Sequence, residues 1–199
     1  MNRVELALRE VARHLDELDR KWALVGGLAV SAVAEPRTTR DVDLVVAVRD
    51  DADAEGLVFR LVQAGYGVEA TVDHRKAGRL ATARLRPPGQ AERRGIVVDL
   101  LFASSGIEAE IVASATATEI VEGVIVPVAS RAHLIAMKVL SRDPKRRPRD
   151  DEDLAHLLID ASSEEIGEAR KALNLIAARG FDRGRNLQAE LDTVLSSNR

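Results

Sequence analysis

Trp22-Ala23-Leu24-Val25-Gly26-Gly27 and, after a short gap, Arg40-Asp41-Val42-Asp43-Leu44 are the stretches whose reading decides the fold. An apolar run climbs into the paired glycines, and the next apolar run opens on two carboxylates one residue apart. Alternate side chains of a strand share a face, so Asp41 and Asp43 point the same way while Val42 and Leu44 point into the core. Two close carboxylates repel unless a cation neutralises them. Hard divalent cations such as magnesium prefer such oxygen ligands and keep places open for waters and substrate phosphates. Glycines let a backbone approach a phosphate closely, with a helix N-terminus beyond them. A phosphate cradle beside a metal clamp points to phosphoryl or nucleotidyl transfer.

Working outward, Val4, Ala7, Val11, Leu15 and Leu18 recur at helical spacing, which predicts an amphipathic helix over 3–20. A strand over 22–26 and a short helix over 27–34 follow, the helix stopped before Pro36. The β-branched run 42–48 is a strand. A helix is expected from about 53 to 64, ending at Gly65, and strands over 67–72, 79–86 and 96–102. Gly123 divides a strand pair at 118–122 and 124–128. From Ser130 onward the chain turns helical, over about 131–141, 151–160, 163–179 and 184–196. Ser162 with Glu165 forms a capping box, and Gly180 a stop. The expected organisation is an α/β half, 1–129, with a helical half, 130–199, packed on it.

With 199 residues, 46% of them hydrophobic and 31% charged, the chain is long enough for one core, or for one domain with a helical appendage. A net charge of -3 rules out a broadly basic nucleic-acid coat but leaves room for a local basic patch. The absence of cysteine excludes disulfides, thiolate catalysis and zinc-thiolate sites, and fits a cytoplasmic protein. The charged first residues form no signal peptide, and no apolar run reaches the roughly 20 residues needed to cross a bilayer, so no membrane partner is expected. Aromatic residues are too few, at 3%, for a surface built on base stacking.

Asp99 lies inside an otherwise apolar strand, Gly95-Ile-Val-Val-Asp-Leu-Leu-Phe102. A carboxylate there is costly unless it is paired or metal-bound. One reading is a strand-end aspartate hydrogen-bonded to nearby backbone. The other places its strand beside 42–48, where Asp99 joins the Asp41 and Asp43 pair as a third metal ligand or as a general base. The cluster Arg142, Lys145, Arg146, Arg147 and Arg149 is either a solvated basic loop or a phosphate contact. The four histidines are scattered without metal-ligand spacing.

These residues together resemble a family. Gly26-Gly27, then Asp41-x-Asp43, then a lone Asp99 in a later strand is the layout of the polymerase-beta-like nucleotidyltransferases. The AbiEii/AbiGii toxin-like branch is the closer resemblance, through Arg37-Thr38-Thr39-Arg40-Asp41-Val42-Asp43, the helical lysine Lys138, and Arg147-Pro148-Arg149-Asp150-Asp151-Glu152-Asp153. Arg149 stands where that branch commonly has lysine. The resemblance covers about residues 20–160. It implies an α/β (α+β) fold with a mixed β-sheet flanked by helices and a C-terminal helical bundle.

The resemblance further implies that Asp41, Asp43 and Asp99 hold Mg2+ or Mn2+, with a nucleoside triphosphate as substrate. Gly26, Gly27, Thr39, Arg40, Lys138, Arg147, Arg149, Asp150 and Asp153 would surround the nucleotide, with Asp150 and Asp153 orienting Lys138 or Arg147 or touching substrate. The product would be a nucleoside monophosphate attached to a hydroxyl acceptor, with tRNA and a cognate antitoxin as candidate partners. Two alternatives stay open: a small-molecule (antibiotic) nucleotidyltransferase, and a catalytically idle nucleotide-binding or antitoxin-like partner protein.

Overall fold

The computed structural model describes residues 2–74, 78–89, 95–143 and 148–197. The chain opens with α1 (Arg3–Glu17), capped by Asn2 and Glu5 in a reciprocal capping box. It ends three residues short of the expected position, where Asp19 takes a positive φ of 52° and turns the chain. Then come β1 (Trp22–Val25), α2 (Gly26–Val33), β2 (Asp41–Val46) and α3 (Asp51–Gln63). The strands β3 (Gly67–His74), β4 (Arg79–Arg86) and β5 (Val97–Leu101) follow, then α4 (Glu108–Ala113), β6 (Thr116–Val121) and β7 (Val124–Val128). The C-terminal helices are α5 (Arg131–Ser141), α6 (Pro148–Ile159), α7 (Ser163–Ala178) and α8 (Leu187–Ser197).

The strands form one mixed sheet in the order β3-β4-β5-β2-β1-β7-β6. β2 and β5 run parallel, as do β1 and β7, while β1 and β2 are antiparallel. Central strands bury nearly every apolar side chain, including Leu24, Leu44, Val98 and Leu100. Burial of such residues from water is the main favourable term holding the sheet. The helical half packs against the same core: α5 touches α2, α6, α7 and α8, and α6 touches α2. No helix among the described residues is long and apolar enough to cross a membrane.

Two departures from the sequence reading have local causes. Helix α6 starts at Pro148 rather than near 151; proline suits a first helical turn, where its missing N–H has no partner to lose. Helix α4 is absent from the sequence reading because six residues carry too little periodicity to be seen. Its first residue, Glu108, folds back on the preceding turn, where its Oε1 accepts hydrogen bonds from the backbone N–H groups of Ser104 and Ser105 at 2.7 Å each.

Helix α7 carries the capping box read from the sequence: Ser162 Oγ accepts from the Glu165 N–H, and the Glu165 carboxylate accepts from the Ser162 N–H. Ser162→Ala is expected to lower the free energy of unfolding by about 1 kcal/mol in chemical denaturation.

Candidate active site

Strand β2 alternates as its sequence dictates: Asp41 is exposed, Val42 buried, Asp43 half-buried and Leu44 buried. On one side of it, β5 aligns Asp99 with Asp43. Residues in register on adjacent strands share a face, so the structure places Asp99 on the face of Asp41 and Asp43. On the other side, β1 aligns Val25 with Asp43, and the chain then turns into α2 through Gly26.

Gly26 has a φ of +65°, and a Cβ there would lie 2.0 Å from Asp43 Oδ2. No side chain fits that position. A Cβ on Gly27 would lie 2.7 Å from Arg37 Nη2 and 3.1 Å from Thr39 Oγ1. The paired glycines therefore let the start of α2 close onto Asp43, Arg37 and Thr39. No side chain caps the helix at its N-cap, Val25. Thr39 is half-buried, and Arg40 is exposed.

Asp43 is electrostatically strained. Burial, then the charge of Asp99, then that of Asp41 push its pKa from the ordinary 3.8 up to about 7, against the opposing pull of Lys138 and Arg84. A divalent cation fits the chemistry of the hard oxygen donors Asp41 and Asp43, because it would relieve this repulsion. Asp99 is differently engaged. Arg84 aligns with it on β4 and grips it bidentately, Nε to Oδ1 at 2.8 Å and Nη2 to Oδ2 at 2.6 Å. Among the described residues, no three acidic or histidine side chains are gathered to hold a metal ion.

Lys138, on α5, lies between two acids of α6. Its Nζ is 2.7 Å from Asp150 Oδ1 and 2.7 Å from Asp153 Oδ2. Arg37 also donates to Asp153, with Nη2 2.7 Å from Oδ2, and Ser141 Oγ donates to Asp150 at 3.1 Å. Burial alone would raise the Asp153 carboxyl, but the hydrogen bonds from Arg37 and Lys138 outweigh it and hold the pKa below the usual range. Asp153 is 0% exposed, and between Arg37 and Lys138 it is a structural hub. Two cations and two carboxylates make this group neutral overall, although the charge of Lys138 reaches Asp43.

Two residues of the basic segment are described. Arg142 is paired with Asp151, and Arg149 is exposed. Lys145, Arg146 and Arg147 lie outside the described residues. His133 sits between the hydroxyls of Ser114 and Ser130, each 3.0 Å from Nδ1.

Sequence reasoning assigned no role to Arg37 and did not single out Arg84. Arg84 carries a faint signal, since Thr82, Arg84 and Arg86 alternate with the buried Ala81, Ala83 and Leu85. That alternation shows a polar face but not which strand lies beside it.

A family model described as the nucleotidyl transferase AbiEii toxin of type IV toxin–antitoxin systems matches residues 9–197. The chain belongs to this family. No curated protein sequence matches it. Among solved structures, an antigenic nucleotidyltransferase-like protein from Paracoccidioides brasiliensis is similar at 21% identity and a TM-score of 0.54, over 96% of this chain and 92% of that one. It shares the fold. The antibiotic-resistance factor ANT(2'')-Ia matches at 20% identity and a TM-score of 0.47, over 99% and 96% of the two chains. JHP933 from Helicobacter pylori matches at 14% identity and 0.47, over 98% and 89%. The AbiEii-family chain is accordingly a nucleotidyltransferase with the mixed α/β sheet of that fold.

Two outcomes follow from the charges of the site. Lys138→Ala removes the cation that the buried carboxylates of Asp150 and Asp153 share, leaving Arg37 as the cation on Asp153, and should cost about 3 kcal/mol of stability in denaturant titration. Loss of activity in that variant alone therefore says little about a nucleotide contact. The raised folded-state pKa of Asp43 means that the folded protein holds this proton more tightly than the unfolded chain does. In cation-free buffer, stability should fall as pH rises from about 4 through about 7. Asp43→Asn should remove that component from the profile of Tm against pH.

Proposed function

We propose that the chain transfers a nucleoside monophosphate from a nucleoside triphosphate to a hydroxyl of RNA, with tRNA the leading acceptor, as the toxin of a toxin–antitoxin pair. One observation carries the reading: Asp41 and Asp43 share a strand face, and Asp43 lies against Gly26 at the uncapped N-terminus of α2. That arrangement sets hard-cation ligands beside a helix end suited to phosphate. Asp41 and Asp43 would hold the divalent cation, Mg2+ or Mn2+, and Asp99 would complete the site. When bound, the cation neutralises the triphosphate and the charge that develops on the reacting oxygens.

The chain's own residues do the positioning. The α2 N-terminus and Gly27 receive phosphate oxygens through backbone N–H groups. Lys138, held by Asp150 and Asp153, presents its charge to the same face. The acceptor hydroxyl oxygen attacks the α-phosphorus, its proton passes to solvent, and pyrophosphate leaves as its bond to that phosphorus breaks. Residues 1–129 form the core that carries the carboxylates, and residues 130–199 form the helical region that supplies Lys138. The basic residues of 142–149 favour an anionic acceptor over a cationic drug. A cytoplasmic setting supplies both triphosphate and tRNA, and a cognate antitoxin is the partner that this biology requires.

The test is incubation with each labelled nucleoside triphosphate, a magnesium salt and total RNA. Label is expected on RNA in the tRNA size range, and Asp43→Asn should abolish it while leaving the circular dichroism spectrum unchanged. Wild-type levels of labelling by the Asp43→Asn protein would remove Asp43 from the mechanism. Label on a small-molecule acceptor, with none on RNA, would overturn the choice of acceptor.

A further inference from the structure

Arg84 and Asp99 form the most specific charged contact beside the carboxylate row. They stand directly opposite on adjacent antiparallel strands, and both guanidinium–carboxylate hydrogen bonds are short. This is the planar fork geometry in which arginine binds a carboxylate best. The two partners are unequally buried. The Asp99 side chain is 10% exposed, whereas that of Arg84 is 47% exposed. The carboxylate is therefore fixed in the sheet, and the guanidinium lies at the solvent edge with room to leave. Arg84 also feels the charges of Asp41 and Asp43. It stands, in effect, at the end of a line running Arg84, Asp99, Asp43 across β4, β5 and β2.

We propose that Arg84 is a positioning residue that competes with the divalent cation for Asp99. In the cation-free protein the guanidinium occupies both Asp99 oxygens and offsets the repulsion of the three-carboxylate row. Cation entry at Asp41 and Asp43 removes that repulsion, and Asp99 exchanges its arginine for the cation. Arg84 swings outward into solvent at the rim of the site. The burial difference sets the direction of the exchange, because the exposed Arg84 side chain has open solvent to move into and the buried Asp99 side chain does not. It also accounts for Asp99, in register with Asp43, facing Arg84 rather than joining Asp41 and Asp43 in one ligand set. The inference rests on the reading of Asp41, Asp43 and Asp99 as cation ligands.

The test uses the full chain and Mn2+ alone, titrated by calorimetry. Arg84→Gln removes the competing charge and should bind Mn2+ roughly tenfold more tightly than the wild type. Arg84→Lys, which keeps a charge but loses the fork, should fall between them and guards against misfolding of the first variant. In an Asp99→Asn background the Arg84→Gln change should no longer alter the affinity. A second readout is the Arg84 Nε–H resonance, assigned by its loss in Arg84→Lys. It should be protected from solvent exchange without cation and lose that protection when Mg2+ is added.

Unchanged or weaker Mn2+ binding in Arg84→Gln would overturn the proposal. So would a gain that persists in the Asp99→Asn background, which would mark Arg84 as a distant charge rather than a competitor. If Asp43→Asn binds Mn2+ as well as the wild type, the cation reading itself falls and this inference with it. The two failures are thus told apart by which variant leaves the isotherm unmoved.

Discussion

Like-charge repulsion among Asp41, Asp43 and Asp99 is the constraint around which the rest of this site is built. Strand pairing brings the three together irrespective of their charge, because β2 and β5 are held in register by apolar neighbours such as Val42, Leu44, Val98 and Leu100. The hydrophobic core thus holds the carboxylates close, and the surrounding polar residues answer the cost. Arg84 neutralises Asp99 from one side, and Lys138 acts on Asp43 from the other. The start of α2 closes over Asp43 with its backbone alone. On the proposed reading, a cation bound here would relieve that repulsion.

Arginine does much of the joining between the sheet and the C-terminal helices. Arg37, from the segment before β2, reaches Asp153 on α6, and Lys138 on α5 shares that carboxylate. Arg131 on α5 donates to the carbonyl of Val33 at the end of α2, and to that of Leu157 near the end of α6 at 3.0 Å. Arg185 donates to the carbonyls of Val139 and Leu140 near the end of α5, at 3.0 and 2.9 Å. The last carbonyls of a helix lack intrahelical partners and carry partial negative charge. Guanidinium groups therefore satisfy three helix ends and fix the angle at which α5 presents Lys138. Such buried charged contacts are better at specifying one arrangement than at adding net stability.

Legibility of the fold followed burial. Strands and helices with a continuous apolar stripe were readable, as with Val4, Ala7, Val11 and Leu15 on α1 and the run from Val42 on β2. Helix α4 was not, because its organising contact is a glutamate folded back onto two serine amides, which leaves no periodic trace. The glycines were legible as a close approach, but the group that approaches Gly26 inside the chain is Asp43, seventeen residues downstream and brought there by the antiparallel pairing of β1 with β2.

The sequence by itself determined the alternation of β2, hence the shared face of Asp41 and Asp43, because strand periodicity is a local property. It also determined the cap of α7, which rests on two residues three positions apart, and the family likeness, which rests on short motifs spread from Gly26 to Asp153. Only the tertiary structure decided what each charge meets. Arg84 lies fifteen positions from Asp99, and Arg37 lies 116 positions from Asp153. Strand register and helix packing select those partners, and nothing local in the sequence encodes either. The same holds for Lys138, a plain helical lysine until α6 folds two carboxylates onto it.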